Sequence, residues 1–327
     1  MDGAMKGGDL GMLGMLGMLG MKVAVRATGV ALLLTLAGCA TPYLEIDDAV
    51  EIADGRTRFV AFAEHDRGPF YGGVEGVDVR FLVEGTEVAS ARSDERGVAT
   101  VMAEIEPGRG RFEAAASFGG QSFERSGKIV HWRSDEVVVA CDIDSTISET
   151  ALKALFFDEK DEKSKPITGS PEVLHEIARH HGLVYFTARP KFTLEKTQQW
   201  LEAHGYPEAP VFTSLGVGDL IAQTKYKRRE LAKLRETFPN MMIGIGNSHT
   251  DSEGYGATGM LALIVNRKGD RKYGRHEIEF NDWAQIGRFF EANRELLRDP
   301  ERLRAATRGE EMVVVPTLQF VDSAPRD

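Results

Sequence analysis

Glu136-Val137-Val138-Val139-Ala140-Cys141 is an almost unbroken apolar run, and it ends on Asp142-Ile143-Asp144-Ser145-Thr146. A short apolar run of this kind reads as a strand buried on both faces, as in a parallel sheet. Helix and strand signals alternate after it. Ser170 stands where a helix N-cap belongs, with Pro171 at the first position, Val173, Leu174 and Ile177 on one face, and Gly182 past the end. Leu183–Phe186 is the next strand, and a second helix runs from about Lys191 to His204, stopping at Gly205. Pro210–Phe212 is a short third strand, a third helix covers roughly Asp219 to Thr237, and Met241–Ile245 and Leu261–Val265 are the fourth and fifth strands. This succession predicts an α/β fold with a doubly wound, mostly parallel sheet over residues 134–298, followed by a C-terminal tail at 299–327. The ligand site of such a sheet lies outside the carboxyl ends of its strands.

The polar residues of interest fall at that edge. Asp142 and Asp144, two positions apart as the chain leaves an apolar strand, are costly to place together without a cation between them. Magnesium, with its preference for hard oxygen ligands, is the natural candidate. The second strand ends in Thr187-Ala188-Arg189-Pro190, a hydroxyl and a guanidinium at the same edge. The fourth ends in Gly246-Asn247-Ser248-His249-Thr250-Asp251, which adds two oxygen ligands, and Lys225 and Lys227 lie on the helix before it.

With these residues in order, the chain resembles the haloacid dehalogenase superfamily of phosphotransferases. The closer likeness is to the lipin-type phosphatidate phosphatase domain, also found in Nir-type lipid-transfer proteins, and it covers about residues 136–268. Relatives there carry Asp-Ile-Asp-Gly-Thr-Ile, Ser-Ala-Arg and Gly-Asn-Arg-Pro-x-Asp. This chain reads Asp142-Ile143-Asp144-Ser145-Thr146-Ile147, Thr187-Ala188-Arg189 and Gly246-Asn247-Ser248-His249-Thr250-Asp251. A less close resemblance is to the actin-patch-associated phosphatidate phosphatases.

The resemblance implies a role for each matching residue. Asp142 would be the nucleophile that forms an aspartyl-phosphate. Asp144 would protonate the leaving oxygen and then activate water. Thr187 would bind the phosphoryl oxygens, with Thr146 and Arg189 as further substrate contacts. A lysine would neutralise their developing charge, Lys227 being the first choice and Lys225 the second. Magnesium would be held by Asp142, the main-chain oxygen of Asp144, and Asn247 or Asp251. Ser145 stands in place of the usual glycine. His249 is read equally well as a solvated loop residue or as a contact, and the charged run Asp158–Lys163 needs no role. Relatives acting on small metabolites carry a cap domain between these motifs. Here about 40 positions separate Thr146 from Thr187 and about 40 separate Thr187 from Lys227, enough for the strands and helices and no cap. The expectation is a capless, open site for a phosphomonoester. A phospholipid such as phosphatidic acid is the favoured substrate, and a phosphorylated macromolecule or polysaccharide is the rival. The alternative class is a non-catalytic lipid- or phosphate-binding envelope lipoprotein.

Upstream, residues 44–133 carry short alternating runs between turn signals, clearest at Arg58–Phe62, Val77–Val83, Val98–Val101 and Arg111–Ala114. Strands at this spacing predict a small β-sandwich, and Ser93–Ala99 resembles a turn of bacterial immunoglobulin-like modules. It reads as a spacer or a binding module. Before it, residues 11–20 repeat Gly-Met-Leu, and from Met21 a signal pattern begins: Lys22 and Arg26, then an apolar run, then Leu36-Ala37-Gly38-Cys39. The run is shorter than the roughly 20 residues that span a bilayer. The last four residues resemble the lipobox of bacterial lipoproteins, which implies removal of residues 1–38 and acylation of Cys39. The expected location is the cell envelope, anchored to a membrane and facing the periplasm, with the outer membrane favoured.

The 327 residues are 42% apolar and 28% charged, enough to supply two cores. Acidic residues outnumber basic ones by 50 to 40, a net charge of −10, which argues against coating nucleic acid. Two cysteines, Cys39 and Cys141, exclude a disulfide scaffold and a cysteine-rich zinc site, and Cys141 is expected reduced and buried.

Overall fold

The computed structural model describes residues 41–316 apart from 53–55, 68–69, 150–163, 217–218, 220–221 and 267–276. Cys39 with its leader, and the charged run before Ser164, lie outside the described residues.

The N-terminal part is a β structure with β1 (Thr41–Ile46), β2 (Ala49–Ile52), β3 (Arg56–Arg67), β4 (Phe70–Gly73), β5 (Asp78–Val83), β6 (Thr86–Arg92), β7 (Val98–Glu104), β8 (Arg111–Phe118) and β9 (Gln121–Trp132). The long β3 pairs antiparallel with β1, β2, β4 and β7. β5 lies between β6 and β8, and β8 pairs with Gln121–Lys128 of β9. The last residues of β9, Ile129–Trp132, then run parallel to β2 and so tie the two ladders together. Phe59 of β3 meets Phe81 of β5 and Phe112 of β8 at ring-centroid separations of 5.4 and 5.1 Å. Alternation along each strand puts these aromatics on one face, so they fill a common core between the ladders.

The C-terminal part contains β10 (Val138–Cys141), β11 (Gly182–Pro190), β12 (Val211–Ser214), β13 (Met241–Gly246), β14 (Leu261–Val265) and β15 (Glu277–Phe280). They form one sheet in the order β12-β11-β10-β13-β14-β15, each neighbouring pair parallel. The described helices are α1 (Ser170–Ala178), α2 (Leu194–Ala203), α3 (Gln223–Thr237), α4 (His249–Ala257), α5 (Trp283–Ala292), α6 (Arg294–Arg298) and α7 (Pro300–Thr307). Val137, just before β10, and Val139 and Cys141 within it face a core shared with α1, α2 and α5, while Val138 and Ala140 face one shared with α3 and α4. The apolar run is therefore continuous because both faces are covered. Val50 and Trp132 of the β part belong to the second of these cores, and Trp132 packs edge-on against Phe238 at 5.1 Å.

Three sequence expectations need correcting. Ser170 does not cap α1: the N-cap is Gly169, in the left-handed region at φ 81°, and the buried Ser170 hydroxyl donates to the Ile167 carbonyl at 2.6 Å. The segment from Lys191 is a 3-10 turn through Thr193 before α2 begins. The chain does not become a tail at 299, because α7 is capped by Asp299 and buries Leu303 in the same core as β10. As expected, Cys141 is free and buried.

His181, between α1 and β11, is buried against Phe290, and its Nδ1 has no hydrogen-bond partner. Burial, with the nearby Arg298 and His180 charges, lowers its pKa from the usual 6.5 to about 4. A depressed folded-state pKa means that the unfolded chain takes up the proton first, so stability is complete above about 6.5 and falls as pH drops toward 4. At about 1.4 kcal/mol per unit the loss is roughly 3 kcal/mol. Urea unfolding across that window should show it, and His181→Gln should flatten the slope; an unchanged slope would assign it to other groups.

Candidate active site

Because β10, β11 and β13 are parallel and adjacent, their carboxyl ends bring Asp142–Thr146, Thr187–Arg189 and Gly246–Asp251 to one edge. Lys227 joins them from α3. The residue is 2% exposed, and its ammonium donates to Asp142 Oδ1 at 3.0 Å and pairs with Asp251 Oδ1. Two buried carboxylates thus share one ammonium. Burial, and after it the charge of Asp251, hold the Asp142 carboxyl well above its usual range despite Lys227. Burial works against the Lys227 charge, but the two carboxylates outweigh it and raise its pKa. Lys225, two residues earlier on the helix, is exposed on another face. Of the two lysines, Lys227 is the one that joins the carboxylate cluster.

Asp142 also accepts a hydrogen bond at Oδ2 from the Thr146 hydroxyl, at 3.0 Å, and Asn247 Oδ1 lies 3.2 Å from the same hydroxyl. The Thr146 carbonyl is fixed by the Trp283 indole N–H at 2.8 Å. Between them Ser145 adopts φ 60°, the left-handed conformation that a glycine takes without strain. Ser145→Gly should therefore stabilise the fold by roughly 0.5–1 kcal/mol, the relieved strain less the entropy of glycine. A denaturant midpoint that stays put or falls would contradict this.

Asp251 sits at the third position of α4, where the Ser248 side chain accepts from its N–H and Asp251 Oδ2 accepts from the Ser248 N–H at 3.0 Å. The reciprocal pair is a capping box, and Asn247 N–H is a further donor to Asp251 Oδ2 at 3.1 Å. Gly246 permits this loop, since a Cβ there would lie 2.4 Å from Asp251. The glycine serves close approach rather than flexibility. His249 is exposed and pairs with Glu253 at 2.9 Å, outside the cluster.

Thr187 is buried at the end of β11, its carbonyl accepting from the Tyr226 hydroxyl at 3.2 Å. Arg189 differs from expectation. It is 2% exposed and turned inward, donating Nε and Nη2 to the two oxygens of Asp144 at 3.0 and 2.9 Å and Nη1 to Thr197 at 3.0 Å. It clamps a carboxylate, so its expected part as a substrate contact gives way to one of orientation. Thr197 and Ser248 were not among the expected site residues, although the Ser-x-x-acid spacing of the capping box is readable in the sequence.

The donors at this edge fit a magnesium ion. They are hard oxygens, Asp142, Asn247 Oδ1 and the main chain of Asp144, beside an excess of buried negative charge. Both oxygens of Asp251 are engaged by Lys227 and its own loop. Among the described residues no group of three His, Cys, Asp or Glu side chains could hold a metal, so an ion here would keep several waters, as magnesium does.

Residues 138–263 match the family model for the PITM 1-3 LNS2 domain. This is a lipin- and Nir-like domain related to the haloacid dehalogenase phosphatases, and the match covers less than half the chain. No curated protein sequence matches. Among solved structures, the chain is similar to the core domain of a Streptococcus pneumoniae TIGR4 protein described as a phosphoglycolate phosphatase, at 15% identity and TM-score 0.31, covering 48% of this chain and 96% of that one. A titin Z1Z2 chimera gives 14% identity and TM-score 0.22, covering 29% of this chain and 97% of that one.

Proposed function

We propose that the protein is a magnesium-dependent phosphomonoester phosphatase working through an aspartyl-phosphate on Asp142. The observation that carries this is the buried Asp142–Lys227–Asp251 cluster, with Thr187 and the clamped Asp144 at the same sheet edge. An Asp142 oxygen attacks phosphorus, and the bond to the leaving oxygen breaks as Asp144 gives it a proton. Asp144 then takes a proton from a water molecule, whose oxygen attacks the aspartyl-phosphate, releasing phosphate and restoring Asp142. Arg189 fixes the direction of the Asp144 carboxylate and stabilises the charge left on it. Lys227 and the Thr187 hydroxyl offset charge on the phosphoryl oxygens. Magnesium, held by Asp142, the Asp144 carbonyl and Asn247, would supply further electrostatic stabilisation of the same oxygens.

The favoured substrate is phosphatidic acid or a related phospholipid. The lipin- and Nir-like match and the short intervals between motifs support it, as does the lipobox-like Leu36–Cys39, which would hold the site beside a bilayer of the cell envelope. Phosphate release with magnesium should be faster from phosphatidic acid in mixed micelles than from soluble esters at matched concentration. A preference for the soluble esters would remove the lipid assignment and leave the phosphatase. No release from any ester would favour a binding module instead. The anchor has its own check: a clickable fatty acid should label the wild-type chain and not Cys39→Ser, and an unlabelled wild type would end the lipoprotein reading.

A further inference from the structure

Lys191 is the most deeply buried cation in the described part of the chain that the proposed chemistry does not use. It is 1% exposed, its ammonium pairs with the buried Asp47, and it lies 4.2 Å from the ring centroid of Phe62. Both partners belong to the β part: Asp47 is in the turn between β1 and β2, and Phe62 is in β3. A buried ammonium is tolerated only with a partner and costs several kcal/mol without one. The β part therefore fixes where residue 191 can sit.

Residue 191 is two positions from Arg189, and the link is stiff. Pro190 between them is extended at φ −65°, a value its ring enforces. The Ser214 hydroxyl lies within hydrogen-bonding distance of the Ala188 and Arg189 carbonyls, at 3.0 and 3.3 Å. On the other side, Lys191 opens the turn that leads into α2, whose Thr197 receives Nη1 of Arg189. Lys191 thus stands at the root of both the backbone and the side-chain restraint on Arg189, and Arg189 in turn holds both oxygens of Asp144.

We infer that the β part is a positioning element for the acid–base carboxylate, with Asp47 setting Arg189, and through it Asp144, by way of Lys191. This rests on the phosphatase reading for its kinetic consequence and not for its geometry. Asp47 and Lys191 are positioning residues, since neither reaches the reacting atoms. The consequence is specific. An alkyl phosphate needs its leaving oxygen protonated, whereas nitrophenolate leaves with little help, so a misplaced acid penalises the alkyl ester selectively.

The test uses the full chain with Asp47→Asn and with the pair Asp47→Asn/Lys191→Met, which removes both charges at near-constant volume and so folds where the single change leaves a buried ammonium unpaired. In kcat/KM, which reports the first transfer, we expect a loss of about tenfold or more on an alkyl phosphate against about twofold or less on nitrophenyl phosphate, in line with general-acid catalysis. The conservative Asp47→Glu should restore much of the ratio. In parallel, the Nε–H resonance of Arg189, assigned by its disappearance in Arg189→Lys, should shift or broaden in the Asp47 variants. Equal losses on the two esters, or an unmoved Arg189 resonance in a folded variant, would overturn the inference. If the wild type releases phosphate from neither ester, the phosphatase reading fails, and the Arg189 resonance alone decides whether Asp47 positions it.

Discussion

Asp142→Asn should bring phosphate release down to background while the protein stays folded. The substitution removes the attacking oxygen's charge at almost constant volume. An amide oxygen can still accept from Lys227, where Oδ1 now lies 3.0 Å away, and the amide N–H can turn to Thr146. It also removes one of two like charges buried side by side, the source of the raised Asp142 pKa after burial itself. Thermal unfolding should therefore change little. Asp144→Asn should be milder, slowing turnover by roughly 10²–10⁴, the usual worth of general acid–base catalysis. Wild-type-like turnover in the Asp142 variant, measured on the ester that the wild type cleaves best, would exclude a covalent step at this residue.

Lys227→Met should damage both stability and turnover. Methionine replaces the stem but not the ammonium, leaving Asp142 and the wholly buried Asp251 without their shared counter-charge. Breaking a buried pair in this way costs roughly 3–5 kcal/mol. The loss of a donor aimed at the phosphoryl oxygens should cost on the order of 10²–10³ in kcat as well. Urea unfolding and steady-state rates measure the two separately. Lys225→Met, on an exposed position of the same helix, should leave both unchanged. A Lys225 variant as impaired as the Lys227 one would reverse the choice between them.

The sheet was legible because burial on both faces writes itself directly into composition. Val137–Cys141, Leu183–Phe186, Met241–Ile245 and Leu261–Val265 are apolar without interruption, and each is a strand of the parallel sheet. The carboxylates, Thr187 and Lys227 were legible because each directly follows such a strand or lies on a helix between two of them. The β part was read less completely. β9 opens with the largely exposed polar stretch Gln121–Lys128, which pairs with β8 but carries little apolar alternation, and short β2 and β4 fall below the length at which alternation is visible. α5 to α7 were missed because no strand signal frames them after β15, although Trp283, Ile286, Phe289 and Phe290 stand at helical spacing.

At the site, sequence gave residue types but not their partners. Arg189 follows Thr187 by two positions, which places its backbone at the ligand edge. Which way the guanidinium turns depends on Thr197, further along the chain, and above all on Asp144, 45 positions earlier. The same holds for Lys191, an unremarkable lysine in the sequence that acquires a role only because Asp47, 144 positions away, is folded against it. Long-range pairing of this kind leaves no periodicity to read.

The most direct measurement is chemical. Wild-type protein turning over its best phosphomonoester with magnesium should be quenched in acid and treated with borohydride, which reduces an acyl phosphate to the alcohol. Peptide mass analysis should then find homoserine at position 142 in the wild type and in none of the Asp142→Asn sample. Phosphate release at an undiminished rate with only aspartate recovered at 142, or homoserine at Asp144 or Asp251 instead, would contradict an aspartyl-phosphate on Asp142.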